Sequence, residues 1–432
     1  MQEKPILQVA LDMENIERAL EIGAEAVAGG ADWVEAGTPL IKSHGLDAVR
    51  ALKRKFKDRI IVADMKTMDV GSFEVEIAAK AGADVVCVLG VADDATISEA
   101  VKAGRKYGAK IMLDLLGVEN KRKRIAEVCE LGVDFVCVHL GIDQQMSAKS
   151  VFNQLRELVK VSPVPVAVAG GINSETAAEA VTSGASIVIV GSAIIKAKDV
   201  KEAAAKIKEA MLSGVPQKTE DFKKYSESQL FEAFSKVSTP NISDAMHRKG
   251  AMKGIRPFIN RNRKMVGRAL TVRTIDGDWA KPVEAIDRAK SGDVVVIDAG
   301  GGTTAVWGEL ASWSCKVKGV AGVVIDGAAR DIDTILNIDF PVFARHVVPC
   351  AGEPKGFGEI GVEIVCGGQT VSTGDWIIGD ESGVVVVPQK EAVEIANRAI
   401  EVMERENRLR EEIKRGGTLS SIQKLERWEK VG

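Results

Sequence analysis

Two acids and a lysine lie close together directly after an apolar stretch, in Asp64-Met-Lys-Thr-Met-Asp69. It follows the apolar run Ile60-Ile-Val-Ala63 and precedes a stretch with helical periodicity. Two carboxylates and an ammonium at the end of a buried strand are costly to desolvate unless they bind one another, a metal ion or a substrate. The carboxyl ends of barrel strands are where catalytic side chains lie. We therefore predict that Asp64, Lys66 and Asp69 take part in catalysis.

Further ionisable residues and glycines stand where other apolar runs in the first 212 residues end. They are Asp12, Glu35, Asp114, His139, Gly170, Gly171, Gly191 and Ser192. The oxygens of Glu35 and Asp64 suit a hard divalent cation, Mg²⁺ or Mn²⁺. Lys66 would offset negative charge that develops on an enediolate, and His139 can move a proton near neutral pH. Asp12 and Asp114 would bind Lys66 or substrate hydroxyls.

More ordinary interpretations of these residues remain open. The acids and Lys66 could form a purely structural salt-bridge network, and an isolated histidine is more often a core residue that bonds a carbonyl group. The segments Ala169-Gly-Gly-Ile-Asn173 and Val190-Gly-Ser-Ala193 are either simple tight turns or a phosphate site. Because both follow the last two predicted strands, where backbone N–H groups and a helix N-terminus meet, we favour phosphate binding.

A repeated unit of one strand and one helix positions these residues. The strand candidates are Ile6–Asp12, Trp33–Gly37, Ile60–Lys66, Val85–Gly90, Ile111–Gly117, Phe135–Gly141, Val166–Gly171 and Ile187–Ser192. Their continuous Val, Ile and Leu runs are typical of parallel strands buried on both faces, and the segments Asn15–Ala28 and Glu74–Ala81 have helical periodicity. Eight such units predict an α/β fold, a TIM (β/α)8 barrel over residues 1–212. A doubly wound open sheet is the alternative.

Composition sets limits on location and partners. The chain has 432 residues, which predicts two domains, and a formal net charge of −3 with a pI of about 6.0. This balance gives no reason to expect a nucleic acid or an anionic membrane as partner. The six cysteines have no paired metal-type spacing, and neither a signal sequence nor a membrane-spanning run is present. We expect a cytoplasmic protein with reduced thiols.

Four segments of the first half resemble the orotidine 5′-monophosphate decarboxylase suprafamily, and within it the 3-hexulose-6-phosphate synthases. They are Ala10-Leu-Asp12, Val34-Glu-Ala-Gly-Thr-Pro-Leu-Ile41, Ala63-Asp-Met-Lys-Thr-Met-Asp69 and Val138-His-Leu-Gly-Ile-Asp-Gln-Gln145. The resemblance implies that Glu35 and Asp64 bind Mg²⁺, that Lys66 stabilises the enediolate, and that His139 handles the proton. It also implies a dimer in which Asp69 reaches the neighbouring subunit's site.

One departure separates two branches of this suprafamily. The 3-keto-L-gulonate 6-phosphate decarboxylases place an arginine three residues after the histidine, where this chain has Ile142. The resemblance therefore implies the synthase reaction, the reversible addition of formaldehyde to D-ribulose 5-phosphate, which gives D-arabino-hex-3-ulose 6-phosphate. The decarboxylase-like enzyme is kept as the alternative.

The pattern changes after residue 212. A linker is predicted at residues 213–228, a second α/β domain at 229–405, and a charged helical tail at 406–432. Strand runs at Ala269–Arg273, Val294–Ile297 and Gly322–Ile325 do not continue the barrel pattern. An α/β domain with swivelling layers is the predicted architecture.

The second domain has its own group of chemical residues. Gly301 and Gly302 lie in a glycine triplet after a strand, which can form an amide nest for a carboxylate. Arg330 adds a planar fork for a carboxylate or enolate oxygen, and Asp331 can hold a divalent cation. Taken alone, a glycine run is weak evidence and an Arg-Asp pair is usually an ordinary ion pair.

This half resembles the ribonuclease E activity regulator A-like family, which includes 4-hydroxy-4-methyl-2-oxoglutarate aldolases. Aldolase members carry an acid, twenty residues and then Arg-Asp, and here Glu309 precedes Arg330-Asp331 by that interval. The resemblance implies a trimer, a pyruvate-like carboxylate at Gly302, the enolate oxygen at Arg330 and Mg²⁺ at Asp331. Two function classes stay open: a bifunctional metal-dependent lyase, or a barrel enzyme whose second domain is a scaffold or a ribonuclease modulator.

Overall fold

The computed structural model describes residues 4–141, 151–219, 222–414 and 416–423. The chain divides into two compact units, Met1–Lys224 with Asn407–Gly432, and Tyr225–Glu406. The division after residue 224 lies inside the segment 213–228 that we predicted as a linker. The residues after 406, predicted as a separate tail, are grouped with the first unit.

The first unit is a closed barrel of eight parallel strands in sequence order. They are β1 (Ile6–Leu11), β2 (Trp33–Ala36), β3 (Ile60–Thr67), β4 (Val85–Leu89), β5 (Lys110–Asp114), β6 (Phe135–His139), β7 (Val166–Ala169) and β8 (Ile187–Val190). This confirms the predicted TIM barrel. Alternate residues pack outward against helices, as Val9 and Leu11 do, or inward, as Ala10 does.

Helices surround the strands of the first unit. They are α1 (Ile16–Ala28), α2 (Thr38–His44), α3 (Asp47–Lys55), α4 (Gly71–Lys80), α5 (Asp94–Tyr107), α6 (Lys121–Leu131), α7 (Phe152–Val159), α8 (Ala177–Thr182), α9 (Ser192–Ile195) and α10 (Val200–Ser213). Asn15 caps α1 through its side chain, which accepts from the backbone N–H of Arg18. The predicted helix at Asn15–Ala28 is therefore correct to within one residue.

A repeated aspartate fixes the N-terminal end of the barrel. Asp32, Asp84 and Asp134 each follow a Gly-Ala or Gly-Val pair just before an even-numbered strand. Their carboxylates accept the backbone N–H groups of the second residues of the preceding odd strands, Leu7, Ile61 and Ile111, at 2.7–2.8 Å. These bonds fix the strand register at the N-terminal end of the barrel. The loops at the opposite, C-terminal end are where catalytic residues of such barrels lie.

The second unit contains a mixed sheet in the order β19-β18-β10-β11-β13-β14-β9, with β12 beside β13 and β15 beside β10. Strands β10, β11, β13 and β14 run parallel, and β16 and β17 form a separate hairpin. The strands are β9 (Arg256–Phe258), β10 (Met265–Arg273), β11 (Asp293–Asp298), β12 (Ala305–Trp307), β13 (Gly322–Ala329), β14 (Val342–Val347), β15 (Glu359–Ile360), β16 (Ile364–Cys366), β17 (Gln369–Val371), β18 (Trp376–Asp380) and β19 (Gly383–Val387).

This sheet is buried on both faces. Val295 and Ile297 of β11 pack into one apolar cluster, whereas Val294 and Val296 pack into another. The helices of this unit are α11 (Leu230–Lys236), α12 (Thr239–Ala245), α13 (Ala280–Arg288), α14 (Glu309–Lys318), α15 (Ile332–Asn337) and the first part of α16 (Ala392–Lys414), whereas α17 (Leu419–Gln423) is grouped with the first unit. The result is an α/β domain, as predicted.

Two broader expectations can be compared with the described residues. All six cysteines are free, and Cys87 and Cys137 are buried in the barrel interior. Within the described ranges, every helix is too short or too polar to cross a lipid bilayer.

Candidate active site

The ammonium group of Lys66 is the centre of the charged cluster at the C-terminal end of the barrel. Its Nζ donates to both carboxylate oxygens of Asp64, at 3.0 and 2.9 Å, and to Oδ2 of Asp114, at 3.0 Å. Asp64 and Lys66 lie on β3, whereas Asp114 ends β5. The barrel therefore brings together residues that are 48 positions apart in the chain.

The backbone of β3 is irregular where Lys66 lies. Lys66 has a positive φ of 51°, and the pairing of β3 with β4 changes register between Ala63 and Thr67. A left-handed conformation costs a side-chain-bearing residue about 1 kcal/mol, and a bulge of this kind redirects side chains. The ion pairs of Lys66 offset this cost, because the bulge directs the ammonium group towards both acids.

Asp114 connects Lys66 to His139, which ends β6. The Nδ1 atom of His139 lies 2.8 Å from Oδ2 of Asp114, whose Oδ1 accepts the backbone N–H of Leu116 at 2.9 Å. Burial acts to raise the pKa of Asp114, but the hydrogen bond and charge of His139 and the charge of Lys66 outweigh it and lower that pKa to about 2. Asp114 is thus a carboxylate that can orient the imidazole ring.

Burial also acts to lower the pKa of Lys66, but the negative charges of Asp64 and Asp114 outweigh it and raise that pKa. The acids of the cluster outnumber its lysine. Burial and then the charges of Asp64 and Asp12 raise the pKa of Glu35 well above its usual value. Burial and the charge of Asp64 raise the pKa of Asp12, although its side chain keeps solvent-accessible surface at the mouth. The neighbouring acids therefore disfavour one another's charged forms, while Lys66, His139 and Lys196 favour the charged form of Asp12.

Two residues that sequence reasoning gave no role hold the acids in place. Thr38, the first residue of α2, donates its hydroxyl to Oδ2 of Asp64 at 2.8 Å and to the carbonyl oxygen of the same residue at 2.9 Å. Gln8, inside the barrel on β1, donates its Nε2 to Oε2 of Glu35 at 2.5 Å. The signal for Gln8 was a single amide inside the apolar run of β1.

The two glycine segments predicted to bind phosphate follow the adjacent strands β7 and β8. Gly170 has a φ of 106°, and a Cβ atom there would lie 2.2 Å from the carbonyl oxygen of Leu140, so only glycine fits. Gly191 precedes the short helix α9, and its backbone lies beside the carboxylate of Asp12. Gly171 and Ser192 are exposed at the same end of the barrel.

Asp69 does not join the cluster in the described residues. It is exposed just beyond β3, and its Oδ1 accepts the backbone N–H of Val70 at 2.7 Å. Three large apolar side chains around it, Met68, Val70 and Phe73, are each more than half exposed. Asp69 therefore lies within an exposed apolar surface.

In the second unit, Arg330 and Asp331 form an exposed pair with 3.5 Å between Nε and Oδ2. Oδ2 of Asp331 also accepts the backbone N–H of Glu309, the first residue of α14, at 3.2 Å. Asp331 has a positive φ of 59°, and α15 begins at the next residue. The structure thus brings together the three residues that the acid, twenty-residue, Arg-Asp spacing predicted.

The glycine triplet has a different arrangement from the predicted amide nest. The backbone N–H of Gly301 donates to the carbonyl oxygen of Asp326 at 3.0 Å, and that of Gly302 donates to the carbonyl oxygen of Ala299 at 3.1 Å. Asp276 packs directly against Gly302. A carboxylate ligand would have to replace these backbone bonds, so the geometry here gives no support to the predicted role of Gly301 and Gly302.

Among the described residues, no three His, Cys, Asp or Glu side chains are arranged as a metal-binding group. Oxygen donors are nevertheless close together in the barrel. The charges of Asp64 and Asp12 raise the pKa of Glu35, and the charge of Asp64 raises the pKa of Asp12. This donor set matches the oxygen ligands that Mg²⁺ prefers. The corresponding acids of the second unit, Glu309 and Asp331, are solvent-accessible.

Comparison with known proteins gives separate matches for the two halves. Residues 5–207 match the family "Orotidine 5′-phosphate decarboxylase / HUMPS family", and residues 239–386 match "RraA-like: Aldolase/RraA". The 3-hexulose-6-phosphate synthase of Mycobacterium gastri is 43% identical over 48% of this chain and 99% of its own length. That of Bacillus subtilis is 41% identical with the same coverage. A crystal structure of a 3-hexulose-6-phosphate synthase is 41% identical, with a TM-score of 0.46, over 49% of this chain and 99% of the other.

The sequence matches divide the chain into the same two halves as the fold does. The first half is covered by relatives over almost their whole length, and the second half is covered by the RraA-like model. The chain belongs, through its barrel, to the orotidine 5′-phosphate decarboxylase / HUMPS family, as a 3-hexulose-6-phosphate synthase-like domain fused to an RraA-like domain.

Proposed function

We propose that the barrel is a 3-hexulose-6-phosphate synthase, a lyase that adds formaldehyde reversibly to D-ribulose 5-phosphate. The observation that carries this proposal is the hydrogen-bonded chain from Asp64 through Lys66 and Asp114 to His139. It places a cation, a proton-transfer group and metal-type oxygens at one end of the barrel. Relatives with this name match the barrel at 41–43% identity.

The close spacing of buried acids supports a divalent cation, Mg²⁺ or Mn²⁺, held by Glu35 and Asp64. Glu35 is 5% exposed and Asp64 is 8% exposed, and Lys66 forms ion pairs with Asp64 and Asp114. Buried carboxylates of this kind need compensating positive charge. When bound, the metal would polarise the ketose oxygens and make the neighbouring C–H bond more acidic.

The proposed roles of the remaining residues are based on the contacts of Lys66 and His139. The ammonium group of Lys66 would stabilise negative charge on the enediolate oxygen. His139 would move the proton, because Asp114 fixes one ring nitrogen and leaves the other for substrate. Asp12, at the mouth, would bind a substrate hydroxyl.

The glycine segments after β7 and β8 support a phosphate group as the anchor of the substrate. Gly170 and Gly171 provide a backbone turn without side chains, and Gly191 and Ser192 lie on the neighbouring strand end. Phosphate at this position would put the sugar carbons towards Lys66 and His139.

A second copy of the chain is the proposed partner of the surface around Asp69. Exposed Met68, Val70 and Phe73 would be covered in a homo-oligomer, and Asp69 would then face the partner's site. An oligomeric-state measurement on Phe73→Glu tests this, since a charge on the apolar surface opposes association.

The alternative for the barrel is a decarboxylase of the 3-keto-L-gulonate 6-phosphate type. Ile142, which distinguishes the two branches in sequence, lies outside the described residues. Turnover of each substrate by the same preparation separates the alternatives. Formaldehyde fixation without release of CO₂ from the keto-gulonate ester favours the synthase.

The test of the barrel reaction uses purified protein, Mg²⁺, formaldehyde and ribulose 5-phosphate. Formaldehyde should be consumed only when ribulose 5-phosphate is present. Asp64→Ala should lose this activity while keeping a wild-type circular dichroism spectrum. Asp47→Asn, which changes an exposed acid on α3, is the matched control and should retain it. Unchanged turnover in Asp64→Ala would contradict the metal assignment.

For the second unit, we propose a metal-dependent 2-oxoacid aldolase or decarboxylase activity at Arg330 and Asp331. Its support is the exposed Arg330–Asp331 pair beside the first residue of α14, Glu309. Metal-dependent release of pyruvate from oxaloacetate or a 4-hydroxy-2-oxoacid should be lost in Arg330→Ala. Absence of release from a panel of 2-oxoacids would favour a trimeric scaffold or a ribonuclease modulator.

A further inference from the structure

Gln8 is a polar side chain in the apolar interior of the barrel. The neighbouring residues of β1, Leu7 and Val9, pack outward against the helices, and Ala10 packs inward. Because side chains alternate along a strand, Gln8 shares the inward face with Ala10. Its exposed fraction is 0%. The amide therefore lies within the barrel, four positions before the rim residue Asp12, which directly follows β1.

The two polar atoms of the Gln8 amide differ in their hydrogen bonds. Nε2 donates to Oε2 of Glu35 at 2.5 Å, whereas Oε1 is buried and has no hydrogen-bond partner among the described residues. Leaving a carbonyl oxygen unsatisfied in an apolar interior is unfavourable, and an apolar residue of similar volume would avoid it. The fold tolerates this cost at position 8 in exchange for the bond to Glu35.

The orientation of the Glu35 carboxylate depends on one hydrogen bond, whereas that of Asp64 depends on several. Asp64 accepts bonds from Thr38 and from Lys66. In the part of the chain that the structure describes, the carboxylate of Glu35 accepts one hydrogen bond, that from Gln8. The terminal torsion of a glutamate is broad and has no strong preference of its own. Without Gln8, no other described hydrogen bond fixes the plane of the Glu35 carboxylate.

We propose that Gln8 is a positioning residue for the divalent-cation site of the barrel. By holding Oε2 of Glu35, it fixes the plane in which Oε1 is offered to the cation. This inference rests on the proposed metal site and assigns to it a residue that does not touch metal or substrate. Groups that hold a metal ligand from behind typically change metal affinity or activity by about 10-fold to 100-fold when removed.

The experiment measures binding of Mn²⁺ directly, by titration calorimetry on the full-length protein, beside turnover, with Asp331→Ala in every sample to remove the acid proposed to bind metal in the second unit. Gln8→Met removes the donor but keeps the volume. It removes the unsatisfied Oε1 but also leaves the buried Glu35 carboxylate without its hydrogen bond, so thermal unfolding is measured beside binding to establish that the variant is folded. We expect its Kd for Mn²⁺ to rise by about 10-fold or more. The Mn²⁺ concentration that gives half-maximal formaldehyde consumption should rise by a similar factor, with a smaller change in kcat at saturating Mn²⁺.

Met112→Leu is the matched control, because Met112 is another buried side chain of the barrel interior and has no bond to Glu35. It should bind Mn²⁺ as wild type does. Gln8→Asn keeps an amide but shortens it out of reach of Glu35, and it provides the same measurement if Gln8→Met does not fold. Wild-type Mn²⁺ affinity in either folded variant overturns the role of Gln8.

Failure of the proposed reaction gives a different result. If wild-type protein binds Mn²⁺ but does not consume formaldehyde, the reaction is wrong, while the comparison of Mn²⁺ affinities still decides the role of Gln8. If wild-type protein does not bind Mn²⁺, both the metal site and the role of Gln8 are wrong.

Discussion

The two groups of charged residues in this chain differ in what surrounds them. In the barrel, the side chains of Lys66, Asp64 and Asp114 are 23%, 11% and 5% exposed and are bonded to one another. In the second unit, those of Arg330 and Asp331 are 44% and 38% exposed and are 3.5 Å apart. Buried charges stabilise each other, whereas exposed charges are stabilised by water. In the barrel, a substitution in the charged group should therefore reduce both activity and stability. In the second unit, a substitution of the charged pair should be able to reduce activity without reducing stability.

The largest effect is expected from Lys66→Met. This change leaves the buried carboxylates of Asp64 and Asp114 without their shared ammonium group, a situation that typically costs about 3–5 kcal/mol. Formaldehyde consumption should also be abolished. Denaturant unfolding followed by the formaldehyde assay on the folded fraction measures both effects.

Lys102→Met is the matched control, because this lysine is exposed on α5 and pairs only with Glu99 in the described structure. It should change the free energy of unfolding by less than about 0.5 kcal/mol. If Lys66→Met changed the free energy of unfolding as little as Lys102→Met does, the prediction that one group determines both activity and stability in the barrel would be wrong.

The second prediction concerns pH. The folded-state pKa of Asp114 is lowered from 3.8 to about 2, so its contribution to stability is present above pH 4 and is lost as the pH falls towards 2. This contribution is about 2 kcal/mol. Asp114→Asn cannot lose it, so the barrel stability of this variant should fall less steeply between pH 4 and pH 2.

Hydrogen exchange of the backbone N–H of Leu116, which donates to Asp114, measures this locally. Wild-type protection should decrease over the same pH interval, relative to the variant. Parallel pH profiles for wild type and Asp114→Asn would show that Asp114 is not a stabilising carboxylate. Asp47→Asn, at an exposed position, serves as the control for general acid effects.

How far the sequence predicted the molecule also differs between the regions. All eight barrel strands lie where continuous apolar runs predicted them, because strands buried on both faces have a strong composition signal. Seven of the eight predicted C-terminal ends extended too far, as at Ile111–Gly117 against Lys110–Asp114, whereas β3 runs one residue beyond its predicted end. Glycines and polar residues after a strand belong to the loops that form the site. The short strands β9, β12, β15, β16 and β17 were not predicted, since two or three residues are too few for a periodic pattern.

The site itself was predictable where strand ends alone determine proximity. Asp64, Lys66, Asp114 and His139 meet because parallel strands of a barrel share one end. The contact between Gln8 and Glu35 depends on side-chain direction across neighbouring strands, which the sequence does not specify. The backbone bonds of the glycine triplet depend on the turn conformation and were likewise not predicted.

The smallest effect on stability is expected from Arg330→Ala. An exposed ion pair contributes little, so the free energy of unfolding of the second unit should change by less than about 0.5 kcal/mol, whatever happens to pyruvate release. Arg345→Ala in the same unit is the informative contrast, because Nε of Arg345 donates to buried Asp326 at 2.5 Å. Losing a charged bond to a buried acid should cost more than about 1 kcal/mol. If both variants lost the same stability, Arg330 would be a structural residue, and stability would depend on the charged pair in the second unit as it does in the barrel. If only Arg345→Ala lost stability, the guanidinium group of Arg330 would be solvated and available to bind a ligand.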